Sequence, residues 1–216
     1  MQHKVNLDEI SDGKLYSSND MVHIGCDGCN TAASCCRFAE DTITLDPYDI
    51  YQLQLGTGMN FEELYAKQLI ALSPVAGLLL PHLNFSQDTG ACPFLLENGR
   101  CSIHAYRPGL CRLFPLARLI DSDTVRYLMQ IHECPCQTMP KTKIKKWLEL
   151  PAIEYYEAYL LRWNSILTET RRQLAAASGQ AELTMLTTDF LRIYYFTQYD
   201  SSLSFYEQWE QRNVSC

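Results

Sequence analysis

The sequence predicts a mostly helical α+β fold, in which a cysteine-rich domain over residues 1–140 precedes a helical extension over residues 141–216 that packs on it. Three observations support this prediction. Nine of the ten cysteines lie between Cys26 and Cys136. Apolar residues recur at helical spacing after residue 150, and two apolar runs on either side of Asp121–Thr124 indicate a hairpin within residues 113–128.

The segment between the cysteine groups carries two helix start signals. The pair Asp-Pro at 46–47 supplies an N-cap and a first-turn proline, and Gly56 is expected to end that helix. The motif Asn60-x-x-Glu63 predicts a second helix that reaches about Leu72. Residues 73–83 contain two prolines, which disfavour a helix, so a loop or a short strand is expected there.

The C-terminal extension has the pattern of amphipathic helices. A first helix should end at Ser178-Gly179, and a second and a short third helix should follow. The apolar stripes are Ile153, Tyr156, Leu160, Trp163, Leu167 and Leu174, then Leu183, Leu186, Phe190 and Ile193, then Leu203, Tyr206 and Trp209. The extension holds 13 aromatic residues in 76. They fit either a hydrophobic lid over a substrate channel or a packed core, and their helical spacing favours the core.

Two shorter polar segments complete the prediction of elements. Residues 1–23 are polar and are expected to form a strand or a loop that leads into the first cysteines. The basic run 141–146 is expected to be the solvated start of a helix rather than a patch that binds nucleic acid.

Charge and composition exclude several classes of function. The formal net charge is −7 and the isoelectric point is about 5.2, which argues against nucleic acid and anionic membranes as partners. No stretch approaches the roughly 18–20 apolar residues that span a bilayer, and the N-terminus lacks the apolar region of a signal peptide, so a cytoplasmic protein is expected. Nucleotide-binding glycine loops, HExxH, the nucleophile elbow and the CxxxCxxC radical pattern do not occur.

The cysteines have the spacing of metal ligands. They read Cys26-x2-Cys29-x5-Cys35-Cys36, then Cys92-x8-Cys101-x9-Cys111, then Cys134-x-Cys136. In a chain expected in a reducing compartment, this density indicates metal binding or redox chemistry. A disulfide framework is the alternative, and the odd number of clustered cysteines and the adjacent pair at 35–36 argue against it.

Nine thiols exceed the four that one tetrahedral zinc ion or one [4Fe–4S] cluster takes. The sequence therefore allows two metal sites, or one site with additional thiols. His104 and His132 lie close to cysteines and could also act as ligands, although a structural role is more usual for each.

Arginines accompany the second cysteine group. Four thiolates around zinc or an oxidised [4Fe–4S] cluster leave a charge of about −2, which needs cations when it is buried. Arg107 and Arg112 flank Cys111 within RPGLCR, so we predict that they support the cofactor. Arg100 and Arg118 fit an ordinary solvated surface equally well.

These motifs resemble the YkgJ-type cysteine-cluster family over about residues 24–137. The resemblance is carried by the Cys26–Cys36 run, by CPFLLENGRCSIHAYRPGLCRLFP from Cys92 to Pro115, and by ECPC at 133–136. It implies that zinc or an iron–sulfur cluster is held by Cys26, Cys29, Cys35, Cys36, Cys92, Cys101, Cys111, Cys134 and Cys136. The spacer before the Cys35-Cys36 pair is longer than is usual in the family, and His104 stands where an aromatic residue is common, which leaves a Cys/His site open.

The family is described as a zinc- or iron-chelating domain and includes flagellin lysine-N-methylase. Three functions are therefore considered. One is an iron–sulfur enzyme, such as a protein-lysine methylase that uses S-adenosylmethionine on a flagellin-like protein. The second is a non-catalytic zinc- or iron-chelating module that binds a partner, and the third is an electron carrier.

Overall fold

A computed structural model of the chain describes residues 7–25, 36–37, 42–131 and 139–214. Over these residues the fold is α+β with more helix than strand, as predicted. Contacts divide the chain into two compact units, each made of two segments. The first unit is Met1–Asn30 with Arg112–Ser165, and the second is Thr31–Cys111 with Ile166–Cys216. The division at residue 140 into a metal-binding domain and a helical extension stays a prediction.

The described residues contain the following elements. The helices are α1 Leu7–Ile10, α2 Pro47–Thr57, α3 Phe61–Ala66, α4 Gly109–Leu113, α5 Ile144–Leu148, α6 Ile153–Ala176, α7 Gln180–Leu191 and α8 Phe205–Val214. The strands are β1 Met21–His23, β2 Ile70–Val75, β3 Leu78–Leu83, β4 Leu116–Ile120, β5 Val125–Met129 and β6 Lys141–Lys143. A 3₁₀ turn covers His104–Tyr106 and a π-helical turn covers Arg192–Phe196. The strands pair as β1 with β6, β2 with β3, and β4 with β5.

The first unit is built around the predicted hairpin. Strands β4 and β5 are antiparallel, with Leu116 opposite Met129 and Ile120 opposite Val125. The Asp121 N–H donates to the Thr124 carbonyl at 3.0 Å and closes the turn. These contacts confirm the hairpin predicted from the two apolar runs.

Two polar segments of this unit differ from their predictions. The basic run 141–146 starts as strand β6 rather than as a helix, because Lys141–Lys143 pairs with β1. Helix α5 begins only at Ile144, whose side chain is buried. The N-terminal segment contains the short helix α1 in addition to the expected strand β1.

The second unit begins with two capped helices. Asp46 caps α2, and Asn60 and Glu63 form a reciprocal capping box at the start of α3, as the sequence predicts. Asp49 completes a second capping box with Asp46, which the sequence analysis did not predict. The end of α2 differs from its prediction. The helix continues through Gly56 and ends at Thr57, because the next residue, Gly58, adopts the left-handed conformation of a C-cap.

The predicted end of α3 at Leu72 is wrong, because the chain turns into a hairpin. Helix α3 ends at Ala66, and β2 and β3 pair from Ile70 opposite Leu83 to Val75 opposite Leu78. The two-residue turn has positive φ at both positions, 50° at Ala76 and 82° at Gly77, as in a type I′ turn. Alanine carries no signal for such a turn, so residues 73–83 gave only the weaker expectation of a loop or a short strand.

This turn provides a test of the hairpin. Ala76→Asn should raise the free energy of unfolding by about 0.5–1 kcal/mol, because asparagine tolerates positive φ better than alanine does. Ala76→Val should have the opposite sign, because a β-branched side chain is strained in that conformation. Urea denaturation of both variants measures the difference. Equal stability of the two variants would contradict the turn.

The C-terminal helices follow the predicted stripes with shifted ends. Helix α6 ends at Ala176, α7 passes into the π-helical turn after Leu191, and α8 begins at Phe205, so that Leu203 of the predicted stripe lies just before it. Nine of the 13 aromatic residues of this region are buried: Tyr156, Tyr159, Trp163, Phe190, Tyr194, Tyr195, Tyr199, Phe205 and Trp209. For these residues the packed-core interpretation is confirmed. Among the described helices, none is both long and apolar enough to cross a membrane.

Candidate metal centre

The structure describes four of the nine predicted ligands. Cys36, Cys92, Cys101 and Cys111 all belong to the second unit, and no disulfide joins any two of these four cysteines. The other predicted ligands lie outside the described residues: Cys26, Cys29, Cys35, Cys134 and Cys136, together with His132.

A backbone hydrogen bond brings the first two cysteine segments together. The N–H of Cys92 donates to the carbonyl of Cys36 at 2.9 Å, and Arg37 pairs with Ala91 beside it. Residues paired in this way have their Cα atoms about 5 Å apart. The side chain of Cys92 is 9% exposed and that of Cys36 is half-buried.

Cys92 and Cys101 lie at the base of one tight loop. Leu95 donates its N–H to the Cys92 carbonyl at 3.0 Å and forms a bridge with Cys101. The loop turns at Gly99, which has a φ of 77°. Because residues 92 and 101 meet through Leu95, the nine-residue separation in sequence becomes a short separation in space.

Cys111 is held in place by a contact that the sequence did not predict. It lies in the short helix α4, whose first residue, Gly109, donates its N–H to Oδ1 of Asp49 at 2.7 Å. Asp49 belongs to α2 and is only 3% exposed. The sequence signal for Asp49 is its place in the capping box, but nothing in that motif indicates a bond to residue 109.

The segment between Cys101 and Cys111 contacts α2 at a second point. Tyr106, in the 3₁₀ turn, packs directly against Gly56. A Cβ atom added at Gly56 would lie 2.9 Å from the Cβ of Tyr106. Gly56 therefore allows a close approach of the loop to the helix, a role that differs from the helix end predicted for it.

Gly56→Ala tests this packing. The added methyl group should destabilise the protein by about 1 kcal/mol, because the steric overlap outweighs the better helix propensity of alanine. Gly179→Ala is the control, since an added Cβ there meets nothing within 4 Å. It should change the stability by less than about 0.5 kcal/mol. Thermal unfolding of both variants measures the difference, and a Gly56→Ala protein as stable as the control would contradict the close approach.

The two arginines beside Cys111 have different environments. Arg112 is 4% exposed, and its Nη1 donates a hydrogen bond to the carbonyl of Glu149 at 3.4 Å. Arg107 is half-buried and donates to the backbone carbonyl of His104 at 2.8 Å. His104 itself is exposed, and its Nδ1 lies 3.2 Å from Nη1 of Arg107. A buried guanidinium needs negative charge or several acceptors around it, so Arg112 is the better suited of the two to support an anionic centre.

A groove opens beside Cys92. Its volume is about 870 Å³ and it is formed within the second unit by residues 65–71, 84–87 and 91–93. Its lining includes the polar residues Lys67, Gln68, Asn84 and Gln87. A molecule in this groove would lie next to the loop that carries Cys92.

In the first unit, the residues that flank two further cysteine motifs are paired. Ile24, two residues before Cys26, donates its N–H to the carbonyl of Pro140 at 3.1 Å. Nδ1 of His23 lies 3.0 Å from the carbonyl of Met139. Ile24, which precedes the Cys26-x2-Cys29 motif, therefore lies beside Pro140, which follows the Cys134-x-Cys136 motif.

The described residues do not by themselves form a complete ligand set. Within the ranges that the structure describes, no group of three or more Cys, His, Asp or Glu side chains is placed to hold a metal ion. The donor chemistry nevertheless fits the implied groups, because thiolates are the preferred ligands of structural zinc and of iron–sulfur clusters. The backbone contact between Cys36 and Cys92 could supply part of such a set.

A comparison with known protein families gives one match. The model of the CxxCxxCC family, described as a "putative zinc- or iron-chelating domain", matches residues 25–149, which is more than half of the chain. This match confirms the cysteine-cluster family that the motifs predict. No curated protein and no solved structure matches the chain.

Proposed function

Because the chain belongs to the CxxCxxCC family, we propose that its clustered cysteines bind zinc or a [4Fe–4S] cluster as thiolates. The observation that carries the proposal is the hydrogen bond between Cys92 and Cys36, together with the bridge that places Cys101 opposite Leu95 in the loop that begins at Cys92. It joins the segment of Cys36 to the loop of Cys92 and Cys101, although Cys36 and Cys92 are 56 positions apart in the sequence.

The nine thiols divide into two sets in this proposal. Cys35 and Cys36 act with Cys92, Cys101 and Cys111, and the backbone pairing of Cys36 with Cys92 supports this first set. Cys26 and Cys29 act with Cys134 and Cys136, and the pairing of Ile24 with Pro140 supports this second set. The first set has five thiols and the second has four, so each can supply the four thiolates that one ion or cluster requires.

The buried arginine agrees with an anionic centre. A metal or cluster with four thiolates carries about −2 charge and is stable in the interior only beside donors and cations. Arg112 directly follows Cys111 and is almost fully buried. Its position supports a role in balancing that charge.

The decisive experiment is the quantification of iron, acid-labile sulfide and zinc in protein purified without oxygen. An iron–sulfur cluster would give matching iron and sulfide and visible charge-transfer absorption, whereas zinc would give a colourless protein. Zinc alone would exclude the cluster and the functions that depend on it. The absence of all three elements, in protein that remains folded, would overturn the proposal.

A second candidate function is that of a protein-lysine methylase, which the resemblance to the family of flagellin lysine-N-methylase implies, with the groove beside Cys92 as the proposed substrate site. Such an enzyme would transfer the methyl group of S-adenosylmethionine to a lysine amine and release S-adenosylhomocysteine and a proton. The groove would accept a protein substrate, with flagellin-like proteins the first to test. The test is transfer of a labelled methyl group to such a substrate. A cluster that cycles reversibly between redox states, without any response to S-adenosylmethionine, would instead favour the electron carrier.

A further inference from the structure

We infer that Asp49 is a positioning residue for Cys111. Its carboxylate fixes the start of the short helix that carries this thiol, and thereby governs how firmly the protein retains its metal. The part of the inference that concerns the metal rests on the proposed function. The part that concerns the placement of the thiol does not.

The carboxylate of Asp49 accepts hydrogen bonds with both oxygens. Oδ2 accepts from the N–H of Asp46 at 3.1 Å, which completes the capping box of α2. Oδ1 accepts from the N–H of Gly109 at 2.7 Å, and this bond is buried. Bonds to an ionised acceptor are stronger than neutral ones, particularly away from water. Gly109 is two residues from Cys111 in the same helix, so the bond constrains the position of the thiol.

Helix α2 is a firm support for this contact. Its residues Ile50 and Leu53 belong to the buried core. The hydroxyl of Tyr195 donates to the carbonyl of Leu45, just before the helix, through a buried bond of 3.0 Å. Together with the packing of Tyr106 on Gly56, the bond from Asp49 attaches the Cys101–Cys111 segment to α2 at two points. The cysteine segment is thus tied to an element that is fixed independently of it.

The chain contains a matched control for Asp49. Glu63 occupies the same third position of the capping box in α3 and accepts from the N–H of Asn60 at 2.8 Å. Among the described residues, this is the hydrogen bond that its exposed carboxylate accepts, and α3 carries no cysteine. Asp49→Ala and Glu63→Ala both remove a capping carboxylate, but only the first removes the bond to Gly109. Asp49→Asn is a milder variant, because its single acceptor oxygen can serve only one of the two N–H groups.

The experiment uses full-length protein as purified without oxygen, with circular dichroism to verify folding. Brief labelling with iodoacetamide, followed by peptide mass mapping, gives the labelling of Cys111 relative to Cys92. Cys92 is a suitable internal reference because the Cys36 carbonyl holds it. Asp49→Ala should raise this ratio about tenfold, the factor that corresponds to one buried charge-assisted bond. Asp49→Asn should raise it less, and Glu63→Ala should leave it within about twofold of wild type. Release of metal to a chelator should accelerate in the same order.

Each result decides the inference. An unchanged ratio in a folded Asp49 variant would overturn it, and so would an equal rise in Glu63→Ala, which would indicate a general effect of helix capping. If Asp49→Ala does not fold, Asp49→Asn decides. Wild-type protein without metal would refute the proposed function alone, since the labelling ratio would still report on the placement of Cys111.

Discussion

Serine in place of Cys101 or Cys111 should reduce the metal content of the purified protein to less than half and lower its stability. A serine hydroxyl is a poor replacement for a thiolate, because it is not ionised near neutral pH and is a weaker ligand for zinc and iron. Metal binding and folding are coupled, and a structural site contributes on the order of 10 kcal/mol. The loss of one ligand should therefore lower the free energy of unfolding by at least about 3 kcal/mol. Metal analysis and denaturant unfolding of the same preparations measure both effects.

The control for this experiment is Cys216→Ser. Cys216 is far from the other cysteines in the sequence and lies outside the described residues, and we predict that it binds no metal. Its replacement should leave the metal content and stability unchanged. Full metal occupancy in both Cys101→Ser and Cys111→Ser would contradict their assignment as ligands, and loss of metal in Cys216→Ser would show that the C-terminal boundary of the site is wrong.

The parts of the fold that the sequence predicted are those set by local chemistry. Asp46 and Asn60 are residue types that cap helices, and they predicted the starts of α2 and α3. The polar residues 121–124 between two apolar runs predicted the β4–β5 hairpin. The β2–β3 hairpin was missed because its turn uses Ala76, whose positive φ is enforced by the pairing of the strands on either side. Strand β6 was missed for a related reason, since Lys141–Lys143 is a strand only because β1, over a hundred residues earlier, pairs with it.

In the candidate site, too, the sequence predicted what local residue patterns determine and missed the long-range contacts. Cysteine spacing identifies the thiols, because it is a property of residue type and short distance along the chain. It does not identify what holds them. The bond between Asp49 and Gly109 joins residues 60 positions apart, and the contact between Cys36 and Cys92 joins residues 56 positions apart. Neither pair carries a pattern by which it could be recognised. The sequence analysis also assigned the same role to Arg107 and Arg112. In the structure, Arg112 is buried and Arg107 is only half-buried, so their expected roles differ.

The difference in burial between the two arginines predicts that a substitution at Arg112 has a large effect on metal binding and stability. Methionine fills a similar volume without the charge, so Arg112→Met removes the buried cation while leaving most of the packing. The change in stability should differ in sign according to whether Arg112 balances the charge of a metal centre or not. If Arg112 balances a metal–thiolate centre, its loss should weaken metal binding about 10–100-fold, as is usual for groups that support metal ligands, and should destabilise the protein. If no anionic centre lies nearby, removing a buried charge should be neutral or stabilising.

Arg107→Met is the matched control, because Arg107 flanks Cys111 on the other side but is only half-buried and bonds to a backbone carbonyl. Its replacement should change metal binding by less than about threefold. Arg112→Lys should lie between the two, because it keeps the charge but loses the planar group with its several donors. Titration of metal from each variant with a competing chelator, alongside thermal unfolding, measures the difference. A stabilised Arg112→Met protein with full metal content would remove the charge argument for the proposed centre and leave the proposal supported by the cysteines alone.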